Sequence, residues 1–324
     1  MKNMKKIVAV LLVAVMVFSL AACGKTKEKG VYRIGICQLA PHPALDAATQ
    51  GFKDALIAKL GADKVEFDEK NASGEATTCT TITSKFVSDN VDLIMANATD
   101  ALAAAAEATD KIPVVATSIT DYATALGMNN WTGKTGFNVT GTADLAPLDQ
   151  QAAMIKELIP EAKTVAVLYC SAEKNSKYQA DIVIAELAKA GITATTKTFV
   201  DSNDISQIVQ SIVDEKFDAV YIPTDNTAAN NTEAINNILE PAKIPVIAGE
   251  EGICKGCGIA TLSISYYDLG YKTGEMAYEI LVNGANPADM EIQYTPADKL
   301  TKKYMTNRAE TLGIEIPEGY EAIA

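Results

Sequence analysis

Apolar and polar positions alternate between two periods along most of this chain. The run at 31–37 is short and β-rich. Over 44–60, Ala44, Leu45, Ala48, Phe52, Ala55 and Leu56 recur at helical spacing, with Gly61 placed to end the helix. The same reading predicts strands at 64–68, 91–96 and 113–117 and helices at 75–88 and 100–109. The rhythm restarts with a helix at 146–158 ending before Pro160. Strands follow at 164–169, 192–199, 219–222, 245–248, 259–263 and 291–294, and helices at 176–190, 204–215, 227–239, 269–282 and 301–312. Ile112-Pro113-Val114-Val115 in the first series is echoed by Ile244-Pro245-Val246-Ile247 in the second. Alternating strand and helix units give parallel sheets covered by helices, so the fold class is α/β, with two doubly wound parallel-sheet lobes. The break falls near the Gly/Thr/Asn-rich stretch 136–147.

The first 22 residues stand apart from this rhythm. Lys2, Lys5 and Lys6 precede a 16-residue, almost wholly apolar run that ends on small residues. That is the layout of a secretory signal, and it is short of the roughly 20 residues a spanning helix needs. Leu20-Ala21-Ala22-Cys23 closes the run and resembles the lipobox of bacterial lipoproteins. The resemblance implies cleavage before Cys23, lipidation of that cysteine with acyl chains such as palmitate, and a protein tethered at the extracytoplasmic face of the cell membrane. Residues 23–30 are then a tether.

Charge and scarce residue types narrow the chemistry. The chain has 28 basic and 41 acidic residues; loss of the three signal lysines leaves −16. So acidic a body repels phosphate backbones, which argues against nucleic acid as a partner. His42 is the one histidine, Trp131 the one tryptophan, and Arg33 and Arg308 the two arginines. A multi-histidine metal site cannot be built, and a Ser-His-Asp triad would have to use His42. Gly133-Lys134-Thr135 lacks the earlier glycine of a phosphate loop, with Met128 in its place. Neither a Gly-x-Gly-x-x-Gly turn nor a Gly-x-Ser-x-Gly elbow occurs, so no cofactor and no catalytic residue are assigned, and the chain reads as a non-enzyme. Cys37 and Cys170 fall in strands as small apolar groups. Cys254 and Cys257 fall in a Gly-rich loop, either as a local disulfide or as two free thiols.

In open parallel sheets, ligands bind beyond the carboxyl ends of strands. Those loops fall at 38–43, 71–74, 97–100 and 118–121 in the first series and at 171–175, 201–204, 224–226 and 249–252 in the second. They are rich in Ser, Thr, Asn, Asp and Gly, which also serve as ordinary helix caps.

Several of these stretches resemble substrate-binding lipoproteins of ABC importers, in particular the tryptophan/tyrosine-type amino-acid binding subgroup. They are Ile34-Gly35-Ile36 with His42-Pro43-Ala44-Leu45-Asp46, Ile119-Thr120-Asp121, Asn138-Val139-Thr140-Gly141, Pro223-Thr224-Asp225-Asn226-Thr227, Glu250-Glu251-Gly252, and Tyr267-Asp268-Leu269-Gly270 with Thr273-Gly274. The resemblance implies a periplasmic-binding-protein type I fold with three crossings, near 142–146, 263–266 and 289–292. One lobe is then 31–142 plus 266–289 and the other 146–263 plus 292–324. It also implies a permease with its ATPase subunit as partner, a small zwitterionic solute, and closure of the lobes over it about a hinge. A nucleoside or another amino acid is the alternative solute; a surface hydrolase is a more distant reading.

A zwitterion needs donors for its carboxylate and acceptors for its ammonium. With both arginines poorly placed, the carboxylate falls to backbone N–H groups at the helix start Ala98-Thr99 and to the hydroxyls of Thr99 and Ser118. The ammonium falls first to Asp225, then to Asp121 and Asn226. Leu39, His42, Tyr122, Phe137 and Tyr169 are candidates for the wall around the side chain. Core packing competes for Phe137 and Tyr169, and capping for His42 and Asp225. Glu250 is placed to bond across the closed cleft. Asn138, Ser171 and Gly249 complete the candidate set.

Overall fold

The computed structural model describes residues 30–323; the expected signal segment, Cys23 and most of the tether lie outside the described residues. Among the described residues no helix is long and apolar enough to cross a membrane.

The chain forms two sheets in separate lobes. In the first lobe, β1 (Tyr32–Gln38), β2 (Val65–Asn71), β3 (Leu93–Asn97), β4 (Val114–Ile119) and β5 (Val139–Ala143) alternate with α1 (Pro43–Leu60), α2 (Ala76–Ser88), α3 (Thr99–Ala108) and α4 (Tyr122–Leu126). The second lobe continues with α5 (Leu148–Leu158), β6 (Thr164–Cys170), α6 (Lys174–Lys189), β7 (Thr193–Phe199), α7 (Ile205–Asp214) and β8 (Ala219–Ile222). Then come α8 (Asn226–Ala229), α9 (Thr232–Leu239), β9 (Val246–Ala248), α10 (Glu251–Cys257) and β10 (Ala260–Ser263). The chain ends with α11 (Tyr266–Asn283), β11 (Gln293–Tyr294), β12 (Thr301–Tyr304), α12 (Thr306–Leu312) and β13 (Glu321–Ala322).

Strand order is β11-β5-β4-β3-β1-β2 in the first sheet and β13-β12-β10-β9-β8-β6-β7 in the second. Pairing is parallel except between β10 and β12. Central strands such as β3, β4 and β8 are buried along their whole length, because helices cover both faces of each sheet. The edge strands β2 and β7 carry exposed charged and threonine positions, which discourages pairing with a second chain. The two proline-led repeats lead into β4 and β9, equivalent central positions in the two sheets.

Several passages depart from the expected boundaries: the helix expected over 227–239 breaks at Asn230 and Asn231 into α8 and α9, and β5 lies inside the stretch read as the break. Gln293 and Tyr294 still pair with Thr142 and Ala143 of the first sheet, so the third crossing lies at 295–300 rather than 289–292. The helix expected over 301–312 is split: Thr301–Tyr304 pairs antiparallel with Ser263–Ala260, and only then does α12 begin. Cys254 and Cys257 lie on α10 instead of in a loop, both thiols free and buried. Arg308 holds that helix's end, donating to the carbonyls of Cys254, Lys255, Gly256 and Gly258 at 2.6–3.2 Å.

α11 returns to the first lobe and lies along α1. Small residues let the backbones approach: a Cβ on Gly270 would stand 1.9 Å from the Ala48 carbonyl oxygen, and one on Gly51 would stand 2.1 Å from that of Tyr267. This close seam fixes the start of α11, and with it Tyr266, beside the first sheet's carboxyl edge.

Candidate functional site

The carboxyl ends of both sheets face one another across a narrow interlobe hollow. The first lobe contributes His42, Leu45, Ser118 and Thr120, the second Asn175, Thr224, Asp225, Asn226, Ala229 and Glu250, and the crossings Asp144 and Tyr266.

The His42 loop is held from below. Gln38, at the end of β1, donates to the Ala40 carbonyl at 2.8 Å and to Asp46 at 2.6 Å, and accepts from Thr49 at 2.6 Å. Asn97 at the end of β3 donates to the Leu45 carbonyl and to Thr49. The next two strand ends are strained: Ala98 has φ 90° and Ser118 φ 58°, conformations an L-residue holds only when its surroundings impose them. Ser118 Oγ and His42 Nδ1 are buried with no hydrogen-bond partner among the described residues.

Three carboxyls line the same space. Asp144 accepts from Tyr266 at 2.7 Å and from Thr120 at 3.3 Å. Burial raises its pKa, opposed by those two hydroxyls. Asp225 caps α8 through Ala228 N–H at 2.7 Å and takes Cys170 N–H at 2.7 Å on its other oxygen. Burial, then the nearby Glu173 carboxylate, push its pKa up to about 8. Glu250 caps α10 by accepting from Gly252 and Ile253, and burial raises its pKa. Glu173 stands behind them, accepting from Asn226, Thr227 and Asn175. A buried hollow ringed by carboxyls attracts a cationic group, because such a group removes the penalty for ionising them.

The lobes touch across the hollow. His42 Nε2 lies 3.2 Å from Asn226 Oδ1, and Thr120 Oγ1 lies 3.3 Å from Thr224 Oγ1 and from Gln179 Nε2.

Of the candidates read from sequence, His42, Ser118, Asp225, Asn226 and Glu250 meet at the hollow. Leu39 lines an adjoining interlobe groove with Asn226, Glu173 and Thr227. Ala98 and Thr99 are buried at the start of α3 and do not line the hollow. Gly249 packs against the Pro223–Thr224 backbone, where a Cβ would meet atoms at 2.6–2.9 Å; it supports the Asp225 loop. The remaining candidates lie elsewhere. Asp121 caps α4 through Thr124 N–H. Tyr122 is fully buried, donates to the Ala116 and Thr142 carbonyls and stacks on Trp131. Phe137 is 37% exposed. Asn138 ties the Thr109 and Ile112 carbonyls together. Tyr169 packs in the second lobe's core. Ser171 is exposed and donates to the Phe199 carbonyl.

Sequence reasoning missed Thr120, Asp144, Asn175, Thr224 and Tyr266. All but Tyr266 and Asp144 sit inside the loops singled out above; those two sit in the crossings, which were read only as connections.

Over residues 33–323 the chain matches the family described as ABC transporter substrate binding protein. The chain belongs to the ABC transporter substrate-binding family. This substrate-binding protein is 38% identical over 270 residues to the tyrosine-binding protein of Clostridioides difficile (strain R20291), covering 83% of this chain and 77% of that relative. It is similar to the structure of an ABC domain in complex with L-Trp from Streptococcus pneumonia, at 33% identity and TM-score 0.85, covering 90% of this chain and 100% of the other. It is also similar to the ligand-free, open structure of a Clostridium difficile substrate-binding protein with adhesive properties. There the identity is 36%, the coverage 90% and 99%, and the TM-score 0.68. With near-equal identity, the better fit to the L-Trp complex than to the open form agrees with the interlobe hydrogen bonds: this substrate-binding protein is described with its lobes closed.

Proposed function

We propose that this substrate-binding protein captures an aromatic L-amino acid in the hollow between its lobes and presents it, closed, to an ABC permease and its ATPase. The single observation that carries the reading is the convergence, in one buried interlobe hollow, of three carboxyls (Asp144, Asp225, Glu250) with two polar atoms that have no partner among the described residues, His42 Nδ1 and Ser118 Oγ. The acidic side suits an ammonium; Ser118 supplies a hydroxyl donor for a carboxylate. Tyr266 and Leu45 offer the apolar contact for a side chain. Support for an aromatic ligand comes from the tyrosine-binding relative and the L-Trp complex. On this reading the chain is a receptor and not an enzyme, anchored outside the cytoplasm through lipid on Cys23.

Thermal-shift screening of the untagged mature protein against the twenty amino acids and four nucleosides tests it. A ligand at about a hundred times its Kd adds roughly 2.7 kcal/mol, a rise of roughly 4–5 °C for a chain of this size. Tyrosine, tryptophan or phenylalanine should produce it. Stabilisation by a nucleoside alone overturns the reading.

A further inference from the structure

We propose that Glu173 and Asn226 of the second lobe are positioning residues that fix the tautomer of His42 in the first lobe, leaving His42 Nδ1 as a hydrogen-bond acceptor for the bound solute. The proposal rests on the hollow being the solute site.

The chain of bonds places a hydrogen on His42 Nε2. Glu173 Oε2 lies 2.8 Å from Asn226 Nδ2 and 2.9 Å from Asn226 N, while Oε1 takes the N–H and the hydroxyl of Thr227, each at 2.8 Å. A carboxylate only accepts, so the amide of Asn226 must turn its NH₂ toward Glu173 and its carbonyl oxygen toward His42. Flipping the amide would set two acceptors against each other at 2.8 Å. Asn226 Oδ1 in turn lies 3.2 Å from His42 Nε2, so Nε2 must carry the hydrogen. A neutral imidazole then has a lone pair on Nδ1. That atom belongs to a side chain only 6% exposed, lines the hollow and has no partner among the described residues.

Two consequences follow. With Asp144, Asp225 and Glu250 on the same hollow, Nδ1 adds a fourth acceptor, so the site favours a solute end carrying several N–H donors; an ammonium has three. The chain of bonds also spans both lobes. It forms only when they meet, so closure sets the tautomer and fixes the lone pair on Nδ1 rather than on Nε2.

His42 is the one histidine of the chain, so a long-range ¹H–¹⁵N correlation spectrum of the untagged, ¹⁵N-labelled protein contains one imidazole. Saturated with L-tyrosine, the wild type should show the Nε2–H tautomer, with the Nδ1 resonance moved by an accepted hydrogen bond. Asn226→Ala should give a mixture of tautomers and weaken L-tyrosine binding roughly tenfold; Glu173→Gln, which frees the Asn226 amide to flip, should mix the tautomers as well. An Nδ1–H tautomer or an imidazolium in the liganded wild type overturns the proposal, whether or not either variant folds. So does an Asn226→Ala protein with the wild-type tautomer and affinity. If none of L-tyrosine, L-tryptophan and L-phenylalanine binds, the solute reading fails instead, and the tautomer in the protein saturated with whichever screened solute stabilises it decides the role of Glu173 and Asn226.

Discussion

An ammonium held beside Asp225, as proposed above, would link solute binding to pH in a direction set by that carboxyl's burial. The Asp225 carboxyl is wholly buried, and burial with the Glu173 carboxylate holds its pKa up at about 8, against two backbone N–H bonds that favour the charged form. An ammonium set beside it favours the carboxylate, so below that pKa binding must expel a proton. Below that pKa most molecules hold this carboxyl neutral, and recruiting the ionised form costs binding free energy. Affinity for an amino acid should therefore rise about tenfold per pH unit from about 6 and level off above 8. The free amino acid keeps both charges over this range, so the slope belongs to the protein. Asp225→Asn keeps an acceptor for the Ala228 N–H, asparagine being a good helix cap. It removes the charge that an ammonium would meet, worth about 1.5–3 kcal/mol, and should weaken binding about 10- to 150-fold at about pH 8 while flattening the slope. Comparing variant with wild type separates Asp225 from the other groups on the hollow. Isothermal titration in buffers of different protonation enthalpy reads both quantities, with close to one proton released per solute bound near pH 6.5. A wild-type Kd constant over this range with no proton release, or an Asp225→Asn protein that binds as tightly as wild type, refutes the ammonium assignment.

Three further outcomes test how the site is held in place. Gly270→Ala puts a methyl 1.9 Å from the Ala48 carbonyl oxygen, and prising α1 from α11 should cost about 1–3 kcal/mol, lowering Tm by roughly 2–5 °C in a calorimetric scan; an unchanged Tm would show that the seam is not tight. Arg308→Ala removes four donated bonds to the end of α10 and should cost about 3 kcal/mol or more in urea unfolding, with Arg308→Lys recovering little because an ammonium cannot span the fork. Tyr122→Phe strips the hydroxyl shared by the Ala116 and Thr142 carbonyls and should cost about 1–2 kcal/mol of stability while leaving solute affinity within roughly twofold; a large loss of affinity would return Tyr122 to the pocket wall.

Much of the scaffold was legible because its signals are local. The spacing of Leu45, Ala48, Phe52 and Leu56 places one face of α1 inward, and all four are buried. The Val/Ile-rich strands read as such because parallel sheets bury both faces. The site was legible only to the level of loops. Asp121, Asp225 and Glu250 look alike in sequence, and all three do cap a helix; what separates them is whether the capped helix begins at the interlobe hollow. That depends on sheet order and on how the lobes meet, not on any window of sequence. Aromatic residues misled for a related reason. Tyr122 and Tyr169 have the area to wall a pocket, but the same area is what a core takes up, and both went to cores. Tyr266 was passed over because it opens a helix at a crossing, and the close seam between α1 and α11 delivers its hydroxyl to Asp144.

The hollow's composition also bears on what makes closure favourable. The direct side-chain contacts between lobes at the hollow are few, His42 with Asn226 and Thr120 with Thr224 and Gln179, each worth about 0.5–1.5 kcal/mol net. Against them stands the burial of three carboxyls, each with its pKa raised chiefly by desolvation. Closing over a neutral guest leaves that penalty in place. Closing over an ammonium replaces it with charge-assisted hydrogen bonds that exist only in the shut form. A ligand shifts a conformational equilibrium by no more than its preference for one state, and here that preference is built into the acidic lining. On the proposed reading the cationic end of the solute is therefore what favours closure, and the opposite end and side chain decide which cationic solutes are retained.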